Sequence, residues 1–277
     1  MVVARNPRAR CSTDVGAKYH TIPARSPLQE RWSECSQVWS SPGKGRKVQG
    51  KEIYDVLGRI GAARLHHANS VITSCTFLEQ RGLLSRGYVD DHGLKQTPQG
   101  SDQKDKEYGI WHRVFLDHVD IHDRGGRKKG ANLYGPAPFV LDLGVLLSLP
   151  VGTDIKVTKS NPVHWHNGQS ESDRWFQAPE ELAQAIRFGD FDKMLVIQTP
   201  TGRLDFPNRA TTIVLDDPQR CMSSGEDAYT HSENRLKRAA GVGNVATSIT
   251  QRTCPDGCRC VEKYARYDSA TIDFYFG

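Results

Sequence analysis

A chain of 277 residues that is 37% apolar and 25% charged has the composition of a protein with a packed core, which excludes disorder over its whole length. Lys and Arg outnumber Asp and Glu by 37 to 32, and the resulting charge of +5 tilts the chain toward polyanionic partners. The seven cysteines are an odd set with four after residue 220, which excludes the even disulfide framework of a small secreted scaffold and leads us to expect a reducing, cytoplasmic setting.

No run of eighteen apolar residues occurs and the opening MVVARNPRARC has no apolar signal stretch, so no membrane partner is expected. Residues 1–48 carry scattered Pro, Ser, Gly and Arg, the composition of a disordered basic tail. Order is expected from KEIYDVLGRIGAARLHHA, where Ile53, Val56, Leu57 and Ile60 recur at helical spacing before an extended stretch at Ala63 to His67. TSCTFLEQRGLL predicts a second helix, capped by Thr73 or Ser74 and stopped at Gly82.

Val89 to Tyr108 is polar enough to predict a long loop. FVLDLGVLLSLP begins as a buried strand and TDIKVTK is a second. PEELAQAIRFG opens on proline and two acids and closes on glycine, which predicts a helix. DKMLVIQTP and ATTIVLDD predict strands separated by the turn residues GRLDFPN, and a helix is expected around Glu233 to Ala240.

Four clusters can carry chemistry. The first is ARLHHANS with FLEQRGLLSRG: a histidine at a strand end, a polar residue two positions on, and a helix closing at Gly-Leu. The run from Leu65 to Ser85 resembles the opening signature of ADP-ribosyltransferases, most closely DNA-modifying toxins of the DarT type and more distantly RNA 2′-phosphotransferases. The resemblance implies an α+β fold with a split, twisted mixed sheet and flanking helices around a cleft, in a core of residues 49–220. It implies NAD as substrate and DNA or RNA as partner, in a toxin or antiviral defence setting. His67 would bond the nicotinamide ribose, with Asn69 and Ser85 beside the dinucleotide. Tyr134 would stack on nicotinamide, and Arg86 would assist in catalysis.

The pattern departs from the family at one point. A late-strand glutamate is expected to stabilise charge as nicotinamide leaves. DFDKMLVIQ offers Asp190, Asp192 and Lys193 instead, leaving Glu180, Glu181 or Glu226 as substitutes.

The second cluster is WHRVFLDHVDIHDRGGRKK. On a strand, His118, Asp120 and His122 would share one face, either as a solvated edge or as ligands of a divalent ion in a metal-dependent nuclease working through the Asp117–His122 stretch. Arg124, Arg127, Lys128 and Lys129 follow, suited to a phosphate backbone.

The third is NPVHWHNGQSESDRWF, where His164, Trp165, His166, Arg174 and Trp175 can grip an unstacked base or line an ordinary polar loop. Asp154 and Lys156 nearby form a D-x-K pair of low specificity. The fourth is CPDGCRC, whose Cys254, Cys258 and Cys260, with Cys221 or His231 upstream, suit a structural zinc in a C-terminal extension of residues 221–277. Without catalysis, the same clusters would serve a nucleic-acid-binding module.

Overall fold

The structure is a computed structural model and describes residues 48–123, 134–190, 192–254 and 258–277. The expected tail lies outside the described residues, apart from Val48, which packs on the core. The described residues belong to one compact unit, Gly45–Gly277.

Helix α1 (Gly50–Arg59) buries Ile53, Val56 and Leu57, the apolar face that its spacing predicts. Strand β1 (Arg64–Asn69) runs two residues further into polar sequence than expected. Helix α2 (Val71–Glu79) starts earlier than expected because Ser70 is its cap, its Oγ accepting from the Thr73 N–H at 3.4 Å. It also ends before Gly82. The left-handed turn falls on Arg81, at φ 65°, and strand β2 (Gly82–Leu84) follows, fully burying Leu83 and Leu84 by pairing with Arg203–Asp205.

The expected long loop holds two short polar helices, α3 (Arg86–Asp91) and α4 (Asp102–Glu107). Neither carries an apolar stripe that sequence could reveal. A cap from Ser85 and an ion pair of 2.6 Å between Arg86 and Asp102 hold them instead.

Strands β3 (Val114–Leu116), β4 (Ala137–Asp142) and β5 (Asp154–Val157) come next, then helices α5 (Glu171–Arg174) and α6 (Pro179–Ala185). Strands β6 (Leu195–Gln198), β7 (Arg203–Asp205) and β8 (Ala210–Leu215) precede helix α7 (Ala228–Gly243), strand β9 (Ala246–Gln251) and helices α8 (Cys260–Tyr264) and α9 (Ser269–Phe276). The fold is α+β with mixed sheets. One sheet has the order β1-β4-β8-β9, antiparallel except for the parallel pair β8 and β9, and a second has the antiparallel order β3-β6-β5.

The parallel pair is joined by α7 as a crossover, which sequence from beyond residue 220 must supply. The expected boundary at residue 220 is therefore not a domain boundary. Gly243 shows how closely α7 lies on α2: a Cβ there would sit 2.0 Å from the Leu78 carbonyl oxygen.

The two sheets meet at their edge strands, β1 and β3. A single bridge joins them: the His66 N–H donates to the Asp117 carbonyl at 2.7 Å and the Asp117 N–H to the His66 carbonyl at 2.9 Å. The sheet is thus split at this point, and the split holds a cleft.

Candidate functional site

The cleft encloses about 920 Å³ of space, its open mouth included. Its walls bring together His67 and Asn69 of β1, Arg86 at the start of α3, and Tyr134 just before β4. These residues lie up to 67 positions apart in the sequence, from His67 to Tyr134.

His67 Nδ1 lies 2.6 Å from the Phe115 carbonyl oxygen of β3. A carbonyl only accepts, so Nδ1 carries the hydrogen and Nε2 keeps its lone pair. Burial pushes the imidazole pKa down to about 4, against the raising effect of the Phe115 bond and with help from the Arg86 charge. His67 is therefore neutral near pH 7, with an acceptor nitrogen at the cleft. The Asn69 Nδ2 reaches that nitrogen at 3.4 Å, while its Oδ1 accepts from the Ser70 N–H.

Tyr134 reaches the cleft because Gly135 passes tightly over β1. At φ +139°, a Cβ on Gly135 would fall 2.2 Å from the Asn69 carbonyl carbon. Asn161 Nδ2 donates to the Tyr134 hydroxyl at 3.3 Å. The guanidinium of Arg86 bonds Asp102 and the Thr97 carbonyl through Nη2.

Several buried polar atoms of the cleft residues have no hydrogen-bond partner: His66 Nδ1, Arg86 Nη1, Gln96 Oε1 and Asp117 Oδ1. Leaving such groups unpaired costs roughly 1–3 kcal/mol each, so their concentration at one cleft marks it as a place for a polar ligand. Three carboxylates line it: Asp105, Asp117 and Asp120. Burial raises Asp105 to about 6. Burial, then the charges of Asp192 and Asp120, raise Asp117 to about 8. Asp120 is lowered, its burial outweighed by Arg252 at 2.9 Å and by the His122 N–H.

Other expected residues go elsewhere. Ser85 does not line the cleft, because its Oγ is spent capping α3. Glu181 pairs with Lys159 and Glu226 with His231, Glu180 is exposed, and none of them reaches the cleft. Arg124, Arg127, Lys128 and Lys129 lie outside the described residues.

Residues 118–122 do not form a strand, so the expected ligand face is not built. His118 Nε2 faces the Arg187 carbonyl at 3.3 Å, Asp120 pairs with Arg252, and His122 turns to the cysteines. Trp165 and Trp175 form a small core, 4.9 Å apart edge to face, rather than a stacking surface. Asp154 and Lys156 are spent on Arg113 and Glu171.

The cysteine cluster closes differently from expectation. His122, Cys254, Cys258 and Cys260 place their ligand atoms within 4.8 Å of one another, a group that can hold a metal ion. Cys221 is exposed and outside this group, and His231 is engaged by Glu226, so His122 from the segment after β3 supplies the fourth donor. Its Nδ1 is 3.3 Å from Cys258 Sγ, and its Nε2 is 3.3 Å from Asp216 Oδ2. Asp216 in turn accepts from Arg252 Nε and the Tyr264 hydroxyl, each at 2.5 Å. Arg252 thereby links the metal group's neighbour Asp216 to the cleft residue Asp120.

Sequence reasoning missed Asp117 and His66 as cleft residues. For Asp117 the signal available was its position directly after the apolar run VFL, where the chain leaves β3; His66, inside β1, carried none. No helix among the described residues is long and apolar enough to cross a membrane. No family model matches the chain, and no curated protein matches it either.

Proposed function

We propose that the protein is an NAD-consuming transferase that moves ADP-ribose onto a nucleic-acid acceptor. The observation that carries this reading is the neutral His67, with Nε2 as acceptor, in the same cleft as Asn69, Tyr134 and the unpartnered Arg86 Nη1. A ribose hydroxyl needs such an acceptor, a pyridinium ring needs an aromatic face, and a pyrophosphate needs a fixed guanidinium.

In this reading His67 Nε2 accepts from the nicotinamide ribose in place of its long 3.4 Å contact with Asn69, whose amide turns to the dinucleotide, and Tyr134 covers the ring. Arg86 holds phosphate and screens its charge. The nucleic-acid acceptor is supported by charge: the sequence between the cleft residues Ile121 and Tyr134 contains Arg124, Arg127, Lys128 and Lys129. Calorimetric titration of NAD into the protein and into its His67→Ala variant tests the reading. Saturable binding is expected from the first and a loss of at least tenfold in affinity from the second; equal affinities would overturn it.

The metal group is best read as a structural zinc site. Zinc bonds of about 2.3 Å to sulfur and about 2.0–2.1 Å to nitrogen give tetrahedral edges of roughly 3.5–3.8 Å. The observed separations bracket that range: 3.1 Å between Cys254 and Cys260, and 3.9 Å from Cys254 to His122 Nδ1. Asp216 behind the imidazole is the outer carboxylate that such histidines use to fix their orientation. Metal analysis of the purified protein by plasma mass spectrometry is expected to give one zinc per chain.

A further inference from the structure

The structure points to Asp117 as the general base that deprotonates the acceptor, an inference that rests on the transferase reading and names the carboxylate which the absent late-strand glutamate leaves unassigned.

Asp120 is bound by Arg252 through Oδ2 and by the His122 N–H through Oδ1, so both of its oxygens are already engaged. Asp105 belongs to α4, where its carboxylate accepts from Ser101. Asp117 has neither tie. Its Oδ1 is buried without a partner, and its backbone is locked to His66, the neighbour of His67. The fold thus fixes the main chain of this residue by two hydrogen bonds and leaves its carboxyl oxygen to the cleft. A buried carboxyl oxygen that nothing satisfies is a cost to stability, which sites of chemistry repay.

Chemistry follows from that placement. The acceptor N–H or O–H attacks C1′ of the nicotinamide ribose, the C1′–N bond breaks, and its electron pair leaves with neutral nicotinamide. The acceptor's proton passes to the Asp117 carboxylate. A base is most effective when its pKa lies close to the working pH, and the value near 8 places Asp117 there. The charged and titratable groups acting on it are Asp192 and Asp120, both raising its pKa, with His66 bonded to its main chain and Tyr134 across the cleft.

The test is transfer of labelled ADP-ribose from NAD to single-stranded oligonucleotide, with NAD affinity measured separately by calorimetry. Asp117→Asn is expected to bind NAD within about threefold of wild type while kcat falls by about 10²–10⁴-fold, the range for loss of a general base. Wild-type kcat is expected to rise about tenfold per pH unit below pH 8 and then level, and this limb should vanish in Asp117→Asn and return, shifted, in Asp117→Glu. Asp117→Ser serves if the asparagine variant does not fold. A variant with wild-type kcat and an unchanged pH limb overturns the assignment of Asp117 alone. Absence of NAD turnover in the wild type overturns the transferase reading, and the base with it.

Discussion

His67 and Phe115 are joined across the split between two sheets, imidazole Nδ1 to carbonyl oxygen at 2.6 Å. This bond decides which nitrogen of His67 faces the cleft and does so with a backbone atom, which no side-chain substitution at position 115 removes. His67→Ala is expected to abolish NAD turnover with a far-ultraviolet circular dichroism spectrum like that of wild type.

The same histidine makes a stability prediction. Its folded pKa of about 4 lies below the 6.5 of an ordinary histidine, so between these values the unfolded chain binds a proton that the folded one does not. Unfolding is then favoured as pH falls from about 6.5 to about 4, and this contribution is constant above about 7. Urea midpoints across that window should fall toward acid less steeply in His67→Gln than in wild type.

Arg252 is buried between Asp120 and Asp216. Replacing it by leucine leaves two buried carboxylates facing each other without their cation, a loss of about 3–5 kcal/mol by analogy with broken buried ion pairs. Urea denaturation measures it. A change under about 1 kcal/mol would mean that water replaces the guanidinium.

Removing the metal should act on the cleft as well as on the C-terminal segment, because His122 follows Asp120 by two residues and donates its N–H to that carboxylate. Cys258→Ser is expected to lose zinc, to melt several degrees lower and to weaken NAD binding. Cys221→Ser, outside the group, should leave all three unchanged.

Gly135→Ala should be more damaging than an ordinary loop substitution, since the new methyl collides with the backbone of Asn69 and Ser70. Melting temperature and NAD affinity are both expected to drop. Gly225, with open space around it at φ +85°, is the control for backbone strain without collision.

His67 was legible as the histidine of a strand, turn and helix unit, whereas Asn69 and Tyr134 were named only through the family resemblance. The residues of the metal group were half legible: three cysteines within seven residues announce themselves, but His122 arrives from 132 positions before Cys254, and Cys221 was nearer in sequence. Helices α3 and α4 escaped because caps and an ion pair hold them, and those depend on contacts between segments. Strand β9 escaped because its core-facing side is only half-buried, at Thr247 and Ile249, and Ile249 is the one large apolar residue there to mark the alternation.

The most direct measurement is nicotinamide release from NAD by the purified protein, with single-stranded DNA or RNA present and no added divalent ion. Release that depends on the oligonucleotide and is lost in His67→Ala is the expected result. Oligonucleotide cleavage that requires added Mg or Mn, with NAD left intact, would contradict it.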